Sequence, residues 1–244
     1  MNNGMHQELI EKQRQFNAAL ELYSSRPGYK LFGTFVSLAN LALQGWLLWR
    51  IVPYSIGLAG QLAALLGAWL LADFVNGLVH LYMDQNDCYD SLAGPLIANF
   101  HLHHKIPQYN RKNLAHVYFV ESGSKIWLVP CLAALAVLTE LGGVAPLLLY
   151  LLLYSGLLSS LAEVSHYLCH TSQSPLAILL GNCGILLSKR RHAIHHLQDN
   201  LGYAFLNGVS DPLLNLLAAR FSRGYKQHTD LHYATTPLDG ICLR

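Results

Sequence analysis

Charge is what this sequence lacks. Only 12% of its 244 residues are Asp, Glu, Lys or Arg, where an ordinary soluble domain carries about 25%. With 52% of the chain apolar, that scarcity excludes a typical water-solvated enzyme and predicts a chain solvated largely by lipid. The five cysteines (Cys88, Cys131, Cys169, Cys183 and Cys242) are scattered, with no C-x-x-C pair. This excludes a disulfide framework and an iron–sulfur or zinc-ribbon site. No H-E-x-x-H occurs, so a zinc metalloprotease would lack its general base. Repeats and low-complexity tracts are missing as well. The first 25 residues carry Glu8, Glu11, Lys12, Arg14 and Glu21 without an apolar core, and so do not read as a secretory signal.

The apolar residues come in blocks. Stretches 31–51, 57–82, 126–140 and 145–165 are each long enough, or nearly so, to cross a hydrocarbon layer that needs about 20 helical residues. The third is the shortest and contains Pro130. The run "LAILLGNCGILL" at 176–187 is too short to cross and suits a re-entrant or interfacial helix. The expected fold is all-α, a multi-pass transmembrane helical bundle of about four spans. Residues 1–30 form an amphipathic N-terminal segment and residues 31–244 one membrane domain. In the N-terminal segment Leu9, Phe16, Leu20 and Tyr23 share a helical face, which suits a helix lying on the membrane. With four spans and the N-terminus in the cytoplasm, loop 83–125 and segment 166–244 are cytoplasmic too. Of the 16 Lys and Arg residues only Arg50 then lies on the far side, as the positive-inside rule requires. Topology and anionic headgroups account for the basic residues, and nucleic acid need not be invoked.

Histidine, by contrast, is abundant: 13 residues against 16 Lys and Arg together. In this topology every one sits at the cytoplasmic end of a span or in a cytoplasmic segment. Four groups stand out: His80 with Asp84 in "ADFVNGLVHLYMD"; His101, His103 and His104 in "FHLHHKIP"; His166 and His170 in "EVSHYLCHT"; and His192, His195 and His196 in "SKRRHAIHHLQDN". Spacings of three and four residues bring side chains together on a helix surface. Such sets, each at a membrane boundary, can converge over the mouth of a helical bundle, and convergent imidazoles bind metal. His6, His228 and His232 are isolated and read as ordinary polar residues. Eight to ten grouped imidazoles are too many for one ion and suit two octahedral ions with open positions. Ligand type alone leaves iron, copper, nickel and zinc open. Ligand number and the place at a lipid interface favour two iron ions, a di-iron centre that takes dioxygen as co-substrate.

Carboxylates accompany these groups. Asp73, Gly77, His80 and Asp84 share one helical face, and Glu163, His166 and His170 repeat the pattern. A carboxylate within a span is costly and usually functional, and a metal-bound histidine commonly donates its second N–H to one. Asp73 and Glu163 are therefore expected to accept from ligand rings, and Asp84 either to do so or to bind metal.

Taken in order, "ADFVNGLVHLYMD", "HHKIP", "HYLCH" and "SKRRHAIHH" resemble the membrane lipid desaturase family. The family includes the Kua, or plasmanylethanolamine desaturase, branch and a plant plastid branch acting on phosphatidylglycerol, to which these motifs are more similar. The resemblance spans roughly residues 60–220. It implies a helical membrane enzyme with a histidine-bound di-metal centre whose ligands include His80, His103, His104, His166, His170, His192, His195 and His196. Leu81 stands where the family usually has Trp, whereas Tyr167 keeps the family's aromatic. His101 and His116 are possible extra ligands.

Removing hydrogen from an unactivated methylene has no acid–base route, so the hard step belongs to the cofactor, and no catalytic acid or base is assigned. The expected function is oxygen-dependent desaturation of a lipid acyl or alkyl chain. A hydroxylase on the same scaffold is the nearest alternative, and a histidine-lined metal transporter a more distant one. A transporter would place ligands near the bilayer midplane. Two of the four electrons needed per turnover come from substrate. With no haem or iron–sulfur motif present, an external cytochrome b5-type or ferredoxin-type donor is implied. Lys189, Arg190 and Arg191, just before the last histidine group, are placed to hold a lipid phosphate. Asp211-Pro212 reads as the N-cap and first residue of an interfacial helix.

Overall fold

The computed structural model describes residues 3–105, 112–198 and 201–222. These are helices and connecting turns, with no strand among the described residues. Three helices are long and apolar enough to cross a membrane: α2 (Pro27–Ile51), α3 (Gly57–Gln85) and α7 (Pro146–Thr171). Pro27 and Pro146 open α2 and α7, where the first-turn N–H has no helical partner to lose. The most extensive helix pair is α3 with α7. Ala64, Ala68 and Ala72 recur every fourth residue on α3 and are buried, and such small residues let two backbones approach closely inside lipid.

The third expected span takes another form. Residues 114–140 fold as α5 (Leu114–Glu121), a 3₁₀ turn (Ser122–Ser124) and α6 (Leu128–Glu140), bent by 91°. The protein thus has three candidate spans, or four if the bent pair counts as one. With 13 residues, α6 is roughly 20 Å long, short of a hydrocarbon core of about 30 Å. The corner between α5 and α6 lies inside the bundle. Ser122 and Lys125 are buried there, and Asn40, halfway along α2, donates to their carbonyls at 3.3 and 3.2 Å. Pro130 is absorbed in the first turns of α6. The end of the bundle remote from the histidines is closed by a 2.6 Å Arg50–Glu140 ion pair and by Tyr150 donating to the Tyr54 carbonyl at 2.8 Å.

At the other end, α1 (Asn3–Ser25) packs on α4 (Gly94–Lys105). Phe16 and Ala19 of α1 are buried with Tyr89, Ile97 and Ala98, and Leu20 packs against them. The apolar face expected to lie on lipid is therefore covered by protein. The side chain of Leu9 falls outside the described residues. Helix α8 (Pro175–Asn182) is followed by turns as far as Leu187, so the short apolar run does not continue as one helix. α8 turns Leu176, Ile178 and Leu179 outward, as an interfacial helix does. α9 (Lys189–Leu197) and α10 (Asp211–Phe221) complete the fold.

The N-cap of α10 is Ser210. Asp211 begins the helix and accepts the Ala204 N–H at 2.8 Å. Burial pushes its carboxyl up to about 6, against the pull of that hydrogen bond.

Candidate metal centre

Helix periodicity places the histidines. On α3, Asp73, Asn76, Gly77, His80 and Asp84 are all buried, one stripe at spacings of three and four. Gly77 sits mid-stripe because a Cβ there would collide with Leu214 of α10 and meet the Ala204 backbone at 3.4 Å. That close approach brings segment 201–210 against α3. On α9, Ser188 caps the helix by accepting the Arg191 N–H at 3.3 Å. Four residues apart, His192 and His196 share a face, whereas His195 is turned about 100° from its neighbour.

Two groups of four imidazoles result. His80, His103, His104 and His195 form the first; His166, His170, His192 and His196 form the second. Within each group the ligand nitrogens all lie within 4.8 Å of one another. The groups adjoin, with the His103 ring centroid 5.3 Å from that of His166 and the His104 centroid 5.0 Å from that of His196. Phe205 packs between them, stacked on His166 at 4.1 Å and edge-on to His80 at 4.9 Å.

In the first group three rings are oriented by backbone carbonyls. Nδ1 of His80 lies 2.9 Å from the Tyr203 oxygen, that of His103 2.6 Å from Phe100, and that of His195 2.9 Å from Leu201. A carbonyl only accepts, so each Nδ1 carries the proton and each Nε2 presents a lone pair inward. Asp84 lies among those lone pairs: Oδ2 is 3.4 Å from His80 Nε2 and 3.5 Å from His195 Nε2, and Oδ1 is 3.4 Å from His104 Nε2. Its carboxylate and four imidazoles make a donor set that suits a divalent transition metal.

In the second group the Nε2 atoms converge on one another. The separations are 2.9 Å for His166–His192, 3.1 Å for His166–His170, 2.8 Å for His170–His192, 2.9 Å for His192–His196 and 3.4 Å for His170–His196. Each ring nitrogen is either a donor or an acceptor. In the triangle of His166, His170 and His192 at least two nitrogens must be alike, so hydrogen bonds alone leave a repulsive pair. An ion held by these nitrogens would remove the conflict. Burial, then neighbouring imidazoles, holds His103 and His192 well below the usual histidine range. Both stay neutral near pH 7, the form that ligates metal.

All eight histidines expected as ligands therefore fall in the two groups, with Asp84 beside the first. His101 and His116 do not. His101 Nδ1 lies 2.7 Å from the Tyr89 hydroxyl and its Nε2 2.8 Å from the Met83 carbonyl, so its two nitrogens tie α4 to the end of α3 and to the turn that follows it. His116 is exposed on α5. His228, His232 and the side chain of His6 lie outside the described residues, as does part of the "HHKIP" motif.

Asp73 and Glu163 also depart from expectation. Asp73 Oδ1 accepts the N–H groups of Leu206, Asn207 and Gly208 at 3.1, 2.8 and 3.2 Å. Its Oδ2 accepts the N–H and hydroxyl of Ser210 at 3.0 and 2.6 Å. The carboxylate pins the segment whose Tyr203 and Leu201 carbonyls orient His80 and His195, and so acts on the rings at one remove. Glu163 pairs with Lys125 at 2.8 Å, and Lys125 donates to Asn76 at 2.6 Å. Sequence reading missed this buried lysine. Its only signal is a cation close to a predicted span, which positive-inside anchoring also explains. Arg191 donates to the Gly208 carbonyl at 2.5 Å and faces the pinned segment, whereas Lys189 and Arg190 line a cavity beside α8.

No curated protein and no solved structure is significantly similar to the chain. The sequence pattern of the lipid desaturase domain, however, matches residues 69–223, more than half of the protein and all of both histidine groups. The chain belongs to the lipid desaturase family.

Proposed function

We propose that the protein is a multi-pass membrane desaturase that holds two iron ions, one in each histidine group, and uses dioxygen to introduce a double bond into a lipid acyl or alkyl chain. The observation that carries this is the pair of adjoining four-imidazole groups at one end of an apolar bundle. Bound there together, two iron ions would supply the oxidising power that no side chain has. The protein's own share is to hold the rings, keep them neutral and keep water out. Six of the eight histidines are under 10% exposed, His195 among them at 0%, and His170 and His196 are half-buried. Four electrons reduce one dioxygen to two waters. The lipid supplies two with its two hydrogens, and an external one-electron carrier, cytochrome b5-like or ferredoxin-like, supplies the rest together with two protons from water. The histidine end faces the cytoplasm or its equivalent, on the distribution of Lys and Arg.

Transport finds no comparable support, because the sequence has no histidine between 31 and 79 or between 117 and 165, where a midplane binding site would lie. The test is lipid analysis of cells with and without the protein. Desaturation yields a species two hydrogens lighter, hydroxylation one oxygen heavier, and unchanged lipids in cells that make iron-loaded protein would refute both.

A further inference from the structure

Reduction of dioxygen to water consumes protons as well as electrons. The lipid gives up two hydrogens and the carrier brings electrons only, so two protons per turnover must enter from water. The rings of the first group offer no way in, because three of their Nδ1–H groups are tied to backbone carbonyls. Nearby carboxylates are committed too, Asp84 among the rings and Asp73 to Ser210 and the N–H groups of segment 206–208. A different set of ionisable side chains leads outward. Glu163, one turn before His166 on α7, pairs with Lys125 at 2.8 Å, and their side chains are only 11% and 5% exposed. Asn76 of α3 accepts from Lys125 at 2.6 Å and is itself held by donating to the Ser159 hydroxyl at 2.9 Å. The Lys125 ammonium lies 5.6 Å from the Phe205 ring, which stacks on His166. Glu121, at the end of α5, is half-buried, interacts electrostatically with Glu163 and Lys125, and pairs with the exposed Lys112 at 3.9 Å. A buried ion pair is a poor source of stability, and ionisable groups at membrane depth mark ion and proton paths.

We propose that Glu121, Lys125 and Glu163 form the path by which protons from water reach the metal centre. Glu121 takes a proton at the surface. Lys125 passes an N–H proton to the Glu163 carboxylate, forming an O–H bond there, and its own N–H is restored as the O–H of Glu121 breaks. No electrons change hands. Glu163 then releases the proton beside the second histidine group, one helical turn away, where Cβ atoms three residues apart are about 5–6 Å from each other. Asn76 acts by position only, keeping the ammonium against Glu163 as the charge moves. The path gives an apolar, water-poor centre its protons without opening it to solvent.

The path rests on the oxygen-dependent reading, so the test has one arm without metal. In metal-free, full-length protein, dicyclohexylcarbodiimide, which modifies protonated carboxyls in apolar surroundings, is expected to label Glu163, and Asp73 at least tenfold less. E121Q should slow labelling of Glu163 several-fold. Glu163 no more reactive than Asp73 would mean that it never holds a proton, and would overturn the path. In the iron-loaded protein E121Q should lower kcat about tenfold or more, with KM for lipid, iron content and melting temperature unchanged. Millimolar acetic acid, a small proton carrier, should restore part of that loss. E163Q should lower kcat further and keep its iron, while E140Q, at the far end of the bundle, should match wild type. Wild-type turnover in E121Q would mean that protons enter at the half-open side by His170 and His196, and would also overturn the path. Labelling of Glu163 in a wild type that makes no product would sink the function and leave the carboxyl path supported.

Discussion

The two histidine groups are built differently. The first is closed: all four of its imidazoles are buried, a carboxylate lies among them, and three rings lean on backbone carbonyls. The second is all imidazole. It is supplied by two helices, α7 and α9, and its His170 and His196 are only half-buried. Charge follows access. A buried carboxylate would help neutralise a divalent ion in the closed group, whereas the half-open group offers neutral imidazoles only. The support differs as well. Both groups draw on the capped helix α9 for imidazoles, but only the first depends on segment 201–210 through Asp73. Damage to the segment should therefore strike the first ion, whereas damage to α9, which carries His195 as well as His192 and His196, should strike both.

The largest effect comes from removing a ligand. His195→Ala in the first group and His192→Ala in the second should each abolish product while the protein still inserts in the membrane, each losing the ion of its own group first. Iron content, insertion and product measured on the same preparations decide this. Next comes Asp73→Asn, which weakens up to five hydrogen bonds to one buried carboxylate. Bonds to a charged group contribute about 1.5–3 kcal/mol each, so a loss of at least ~3 kcal/mol in stability is expected. Supporting residues behind metal ligands typically govern affinity by about 10–100-fold. The first group should thus lose iron while the second keeps it, and equal loss from both would break the distinction.

Much of this centre was legible in the sequence. The pairs His166/His170 and His192/His196 follow from helical spacing alone, and so does the stripe from Asp73 to Asp84. What spacing could not show is the sorting. His195 and His196 are neighbours in sequence yet serve different groups, because consecutive helical residues point about 100° apart and the fold decides what each direction meets. His101 belongs to the same histidine run as His103 and His104 but bonds Tyr89 and Met83. Asp73 finds its partners more than 130 residues away, beyond any local pattern. The third span misled because composition registers apolar length but not the 91° bend between α5 and α6.

A smaller effect is expected from the tie between α4 and α3. Tyr89→Phe removes the hydroxyl that bonds His101 and should cost about 1 kcal/mol, and His101→Gln somewhat more. Iron affinity of the first group should fall by up to about tenfold with the second unchanged, as read by chelator titration. Were His101 a ligand, Tyr89→Phe would leave affinity intact and His101→Gln would abolish product. The smallest effect on metal belongs to Lys125 and Glu163. Glu163→Gln strands a buried lysine and should lower stability by about 3 kcal/mol, yet leave both ions in place. Melting with parallel metal analysis checks the pair.

The central claim is that two ions are held, one per histidine group, and metal analysis of the purified wild-type protein tests it most directly. Close to two iron ions per chain are expected, falling to about one in His104→Ala and in His170→Ala. A single zinc ion in fully active protein, or two irons retained by both variants, would contradict it.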